Sequence, residues 1–217
     1  MSHVGDTTAV QWTAADLVER FGAIPLDRVV HDPPPGTATE DDVIFLDDHR
    51  DRLCELVDGT LVEKTMGFYE SHLALYLGEL LNSFVRKNRL GIVAGESGMM
   101  RLAPGLVRIP DVSFISWASL PDGRMPHVSI ADFAPDLAVE IISRGNTRQE
   151  MERKLRDYFA AGTRLVWYVY HEPKREVRVY ASPEEYTTVG ENETLDGGAV
   201  LPGFQLPLAE LFAEPKP

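Results

Sequence analysis

The 217-residue chain has one cysteine, Cys54. A lone thiol excludes an internal disulfide framework and a cysteine-built zinc site. No apolar run approaches the ~20 residues of a bilayer span. The first twenty residues have neither a basic start nor an apolar stretch, so no signal peptide is expected. Positive charge is also in short supply. Lys and Arg number 21 against 34 Asp and Glu, for a formal net charge of −13. That balance argues against a dedicated nucleic-acid coat, which would be basic. The expectation is a soluble, cytoplasmic chain with no membrane partner.

What is present is ordinary globular composition, 44% hydrophobic and 25% charged. A chain of this length buries roughly 70% of its unfolded surface without staples. The charge is unevenly spread. Residues 32–63 hold ten acids and two bases, a net of −8. Residues 86–108 and 144–178 each come to +4. Two readings follow: ordinary solvated surface, or a basic working face on an acidic body.

Periodicity sets out the elements. Thr13 caps a short helix over 13–21, and residues 31–42, with Pro33, Pro34 and Pro35, read as a loop. Residues 53–63 read as a hairpin around Asp58-Gly59. Its alternation puts Leu53, Glu55 and Val57 on one face, with Glu55 opposite Val62. A long helix is expected over 70–88, with Leu73, Leu77, Leu80, Leu81 and Phe84 as its stripe. Extended segments follow at 92–94 and 99–102, and one strand spans 107–117. Residues 137–142, LAVEII, are nearly all apolar, which marks a strand buried on both faces. Thr147 and Glu150 form a capping box for a second helix that Gly162 stops. Strands at 165–170 and 176–180 come next. The expected fold is a single α/β (α+β) domain: a mixed central sheet flanked by helices, with a β-hairpin extension. The expected boundaries are an N-terminal helix and acidic loop over 1–49, the domain over 50–212, and a tail over 213–217.

Three residues carry the chemistry. Asp111 follows Pro110 at a strand, and Glu140 lies inside LAVEII. A buried, unpaired carboxylate costs several kcal/mol or titrates until it is neutral, so Glu140 needs a partner. Lys154 lies about 85° from the centre of the second helix's apolar stripe, within reach of the sheet. Two carboxylates and an ammonium suit a Mg²⁺ or Mn²⁺ hydrolytic site, with Asp111 and Glu140 as the metal ligands. The same residues equally describe a Glu140–Lys154 ion pair in a packed core, with Asp111 capping a turn.

Larger segments show a resemblance. They are CELVDGTLVEK at 54–64, His72, RIPDVSFI at 108–115 and APDLAVEIIS at 134–143. NTRQEMERKLRDYFAAGTRLVWYV at 146–169 and LDGGAVLPGF at 195–204 complete them. On these residues the chain resembles the Uma-type endonuclease family of bacteria, within the PD-(D/E)XK nuclease superfamily. The resemblance implies a restriction-endonuclease-like core and metal-dependent hydrolysis of nucleic acid, with DNA the expected substrate. Pro110-Asp111 and Glu140 match the superfamily pattern, whereas the lysine slot two residues beyond Glu140 holds Ile142. The resemblance implies that the lysine has moved to Lys154 on the helix. Glu55, in the matched CELVDG stretch and on an apolar strand face, reads as a further acid at the site or as an ordinary hairpin residue paired with a base, and the Ile141 carbonyl is a candidate added metal ligand. A catalytically silent DNA-binding or protein-interaction module is the alternative.

Glu70, His72 and Glu96 are weaker candidates. Glu70 suits a helix first turn, His72 points away from the leucine stripe toward a loop partner, and Glu96 lies between Gly95 and Gly98. Trp167 and Phe159 read as core. A homodimer is expected, since duplex cleavage takes two cuts and two-fold pairing is the commonest symmetry. The apolar residues of 195–212 are the surface expected to serve it.

Overall fold

The computed structural model describes residues 12–214. Helix α1 (Ala14–Phe21) begins at Thr13, whose hydroxyl accepts from the Asp16 amide. Helix α2 (Glu40–Arg50) lies where an acidic loop was expected. The reason is local. Asp42 accepts from both the amide and the hydroxyl of Thr39. Glu40, Asp41 and Asp42 occupy the first turn, where the helix dipole favours negative charge. Val43 and Leu46 then bury in one cluster with Leu56 and Leu61.

The hairpin forms as expected, with β1 (Cys54–Val57) and β2 (Thr60–Glu63) in the register Glu55↔Val62. Helix α3 (Phe68–Asn88) follows. After it come β3 (Gly91–Ala94), β4 (Met99–Ala103), β5 (Leu106–Arg108) and β6 (Val112–Ser116). Next are β7 (Ile130–Ala131), β8 (Leu137–Ile142), α4 (Arg148–Ala160) and β9 (Leu165–Tyr170). Then β10 (Glu176–Tyr180), β11 (Tyr186–Gly190), β12 (Thr194–Asp196), β13 (Gln205–Pro207) and α5 (Leu208–Leu211) close the chain.

The central sheet is six-stranded, in the order β11-β10-β9-β8-β6-β3. LAVEII is therefore interior, parallel to β9 and antiparallel to β6. Its alternation sorts the layers. Leu137, Val139 and Ile141 pack with Leu73, Leu77 and Leu81 of α3. Ala138 faces the other way, toward Met151, Leu155 and Tyr158 of α4. Glu140 shares that second face by parity.

A second sheet, β2-β1-β5-β4-β7, carries the hairpin. The single strand expected over 107–117 is thus two strands in two sheets. Proline lacks the amide that would continue a ladder, and the chain changes sheets at Pro110. Leu56 pairs with Val107 on one side of the break, and the Asp111 amide donates to the Val139 carbonyl on the other. The residues expected to form a dimer surface are also internal. Leu195, Leu201, Phe204, Leu206, Leu208, Leu211 and Phe212 are buried in the same core as α3. They complete this chain's own hydrophobic layer, so this segment is not a free apolar surface.

Among the described residues, no helix is long and apolar enough to cross a membrane.

Candidate active site

The four expected site residues come together at the junction of the two sheets. Asp111 stands at the break between β5 and β6, Glu140 in mid-β8, Glu55 in β1, and Lys154 in the second turn of α4. All are 3–4% exposed. With Lys64, Ser143 and Glu70, among others, they line a cavity of ≈20 Å³, room for one water or one ion.

Lys154 is fully internal. Its Nζ lies 3.0 Å from Glu140 Oε2 and 3.0 Å from Glu55 Oε1. One turn further along α4, the Tyr158 hydroxyl donates to Glu140 Oε1 at 2.6 Å. Lys154 and Tyr158 stand four residues apart, so one helix face clamps both oxygens of Glu140. Glu55 is held on its other side by Arg108, at 2.7 Å, and by the Ile109 amide, at 3.1 Å. Arg108 also binds Asp157, which ties the hairpin sheet to α4.

One ammonium shared by two acids sets their ionisation apart. Burial would raise the Glu55 carboxyl, but Lys154, Arg108 and the Ile109 amide outweigh it and bring it down to about 2. Burial raises Glu140, and the negative Asp111 and Glu55 reinforce this against the pull of Lys154, leaving it at about 7. Lys154 loses solvation, but Glu140 and Glu55 more than compensate and hold it charged. The pair of acids thus splits into one firm anion and one proton-exchanging carboxyl near neutrality.

Asp111 is engaged differently. Its Oδ2 accepts from the Ile141 amide at 2.5 Å, and its Oδ1 lies 2.8 Å from Lys64 Nζ. Ile141 thus meets Asp111 through its amide. Lys64 also donates to the carbonyls of Ile109, at 2.9 Å, and Glu96, at 3.3 Å. Glu96 thus meets the site through its backbone, while its side chain is exposed.

Glu70 lines the cavity from the first turn of α3 and lies 3.2 Å from His171 Nε2. His72 is half-buried between the rings of Tyr69 and Tyr76, each 6.5 Å away between centroids. It lies outside the cavity lining, with aromatic neighbours where a loop hydrogen bond was expected. Trp167 is fully buried in the core, and Phe159 packs at the edge of the α4 cluster.

Lys64, Arg108 and Tyr158 escaped the sequence reading as site residues. Lys64 and Arg108 fall inside the matched segments CELVDGTLVEK and RIPDVSFI, and Tyr158 reads as ordinary inner stripe. Arg28 was missed as well. It is buried, and it donates to Glu150 through its two terminal guanidinium nitrogens, at 2.7 and 3.2 Å.

Among the described residues, no three His, Cys, Asp or Glu side chains are arranged as a ready metal cluster. Mg²⁺, however, is commonly bound by one or two carboxylates and its own waters. Asp111 and Glu140 offer hard oxygens on a cavity of single-ion size, and the nearby Glu55 and Glu70 add negative charge. The donor chemistry therefore fits a Mg²⁺-type ion, provided that one ammonium gives way. Every oxygen of Asp111 and Glu140 already accepts from a protein group or pairs with a lysine.

A mixed sheet between α3 and α4, with acids at its centre and a lysine on the following helix, defines a restriction-endonuclease-like protein. A solved structure from Anabaena variabilis, titled a "putative nuclease belonging to DUF820", shares this fold. It superposes with a TM-score of 0.66 at 20% identity, over 75% of this chain and 90% of that one. A family model described as "Putative restriction endonuclease", Uma2, matches residues 41–209. The chain belongs to the Uma2 family. No curated protein matches it.

Proposed function

We propose that this protein is a metal-dependent endonuclease that hydrolyses phosphodiester bonds of DNA, with residues 50–212 as its catalytic domain. The observation that carries this reading is the convergence of Asp111, Glu140 and Lys154 on one ion-sized cavity. Asp111 and Glu140 would hold Mg²⁺ or Mn²⁺, which supplies charge stabilisation at the phosphodiester and an acidified water. Glu140 must release its proton to ligate, and its carboxyl near 7 lets it do so at neutral pH. Lys154 keeps its charge and orients the attacking water or offsets negative charge on the phosphate. Glu55 and Arg108 act behind it, since Glu55 fixes the ammonium and Arg108 fixes Glu55. Cys54 is free and buried, consistent with a reducing cytoplasmic setting. We extend the proposal to a homodimer, for which a dimer mass by light scattering is the check.

The test is Mg²⁺-dependent cleavage of supercoiled, linear, branched and single-stranded DNA. Glu140→Gln should lower the rate by about 100-fold or more while leaving the melting profile cooperative. A second reading, a silent module kept for binding, draws on the occupied carboxylates and on Ile142 in the lysine slot. No cleavage of any form, together with no bound Mn²⁺, decides for it.

A further inference from the structure

If Asp111 and Glu140 are metal ligands, as proposed above, an incoming cation meets two ammonium groups already in place. They are not equivalent. Lys154 serves two carboxylates, Glu55 and Glu140, at 3.0 Å each. Moving it away would leave Glu55 relying on Arg108 and the Ile109 amide, and Glu140 on a tyrosine, both deeply buried. Unpairing buried charge in this way is costly. Lys64 serves one carboxylate, Asp111, and two neutral backbone carbonyls, those of Ile109 and Glu96. Once a cation holds Asp111, moving Lys64 leaves no anion unpaired.

Lys64 also has somewhere to go. Besides the buried cavity, it lines a second one of ≈190 Å³ with Leu53, Met66, Glu96 and Ser97. A side chain based at the end of β2 can swing from the first cavity into the second while its backbone stays still. The Glu96 carbonyl borders that route, so one of its three acceptors remains within reach. In its present position the ammonium sits among a carboxylate and two carbonyls, the oxygen donors that a hard divalent cation prefers.

We propose that Lys64 is a displaceable counter-ion. It neutralises Asp111 while the metal position is vacant, competes with the divalent cation for that carboxylate, and withdraws into the Glu96 cavity when the cation binds. Its role is positional: it keeps Asp111 folded inward and ready, at the expense of metal affinity.

The test is Mn²⁺ binding to the purified full chain by electron paramagnetic resonance, at fixed pH and ionic strength. Lys64→Met keeps the stem and removes the charge, and it should bind Mn²⁺ at least tenfold more tightly than wild type. Equal or weaker affinity overturns the proposal while leaving Asp111 as a ligand. Adding Asp111→Asn should abolish the gain. If the double variant binds as tightly as Lys64→Met alone, then Asp111 is not the ligand, and both readings fail. A measurement on the wild type guards against a variant that does not fold. Acetylation of Lys64 by acetic anhydride, read by mass spectrometry, should rise several-fold on saturation with Mn²⁺. Unchanged or reduced labelling overturns the proposal.

Discussion

Replacing Lys154 with methionine removes one charge and little volume, which isolates its electrostatic role. In the native protein its Nζ lies 3.0 Å from both Glu55 and Glu140, and its side chain is 5% exposed. At pH 8 the variant would strand Glu140 with only the Tyr158 hydroxyl, and weaken Glu55, which keeps Arg108. Breaking a buried pair in this way costs about 3–5 kcal/mol. For a chain of this size, each kcal/mol moves the midpoint by about 2–4 °C. Lys154→Met should therefore melt roughly 6–20 °C below wild type at pH 8.

The loss should shrink on acidification. Without Lys154, the Glu140 carboxyl rises further above its present value of about 7. At pH 5.5 it is then neutral and no longer a stranded charge, while Glu55 stays anionic beside Arg108. Adding Glu140→Gln to Lys154→Met should recover part of the stability at pH 8 for the same reason. Urea and thermal denaturation at both pH values provide the assay. A loss below about 1 kcal/mol at pH 8, where exposed pairs fall, would refute the reasoning. An equal loss at the two pH values would refute it as well.

Three further outcomes follow from the structure. Glu140, at about 7, must be ionised to ligate a cation, so Mn²⁺ affinity should fall about fivefold from pH 7 to pH 6, and a flat titration would remove Glu140 from the ligand set. In the metal-free chain the stability terms have opposite signs. The raised Glu140 contributes most below about pH 4.5 and loses that contribution as pH rises through about 7. The lowered Glu55 contributes above about pH 4.5 and loses its contribution as pH falls toward 2. Arg28→Met strands the buried Glu150 and cuts the tie from residue 28 to α4. It should cost about 3–5 kcal/mol in urea denaturation and speed proteolysis of the N-terminal segment. A loss under about 1 kcal/mol would show that the pair holds nothing in place.

The carboxylates were legible for a simple reason. A charged residue inside LAVEII conflicts with its surroundings, and such a conflict needs a partner wherever the strand lies. The hairpin register was equally legible, because Asp58-Gly59 specifies a two-residue turn and the turn specifies Glu55↔Val62. Helix α2 was not, because high acidity and three prolines outweighed a weak apolar pattern. The capping by Asp42 and the burial of Val43 and Leu46 appear only once the hairpin sheet is there to cover.

Local chemistry by itself thus determined the elements, the buried strand and the acids that had to be answered. Tertiary structure alone decided what answers them. Pro110 breaks an apparently continuous strand and sends its halves to different sheets, so Asp111 lands at a junction rather than mid-strand. Lys64 reaches Asp111 across 47 positions of sequence, and Arg108 reaches Glu55 across 53. Spacing along a chain carries helix and strand periods, but it carries no distance between residues that the fold brings together. The ionisation split between Glu55 and Glu140 has the same origin. It depends on one ammonium placed between two carboxylates, and only the packing of α4 against both sheets puts it there.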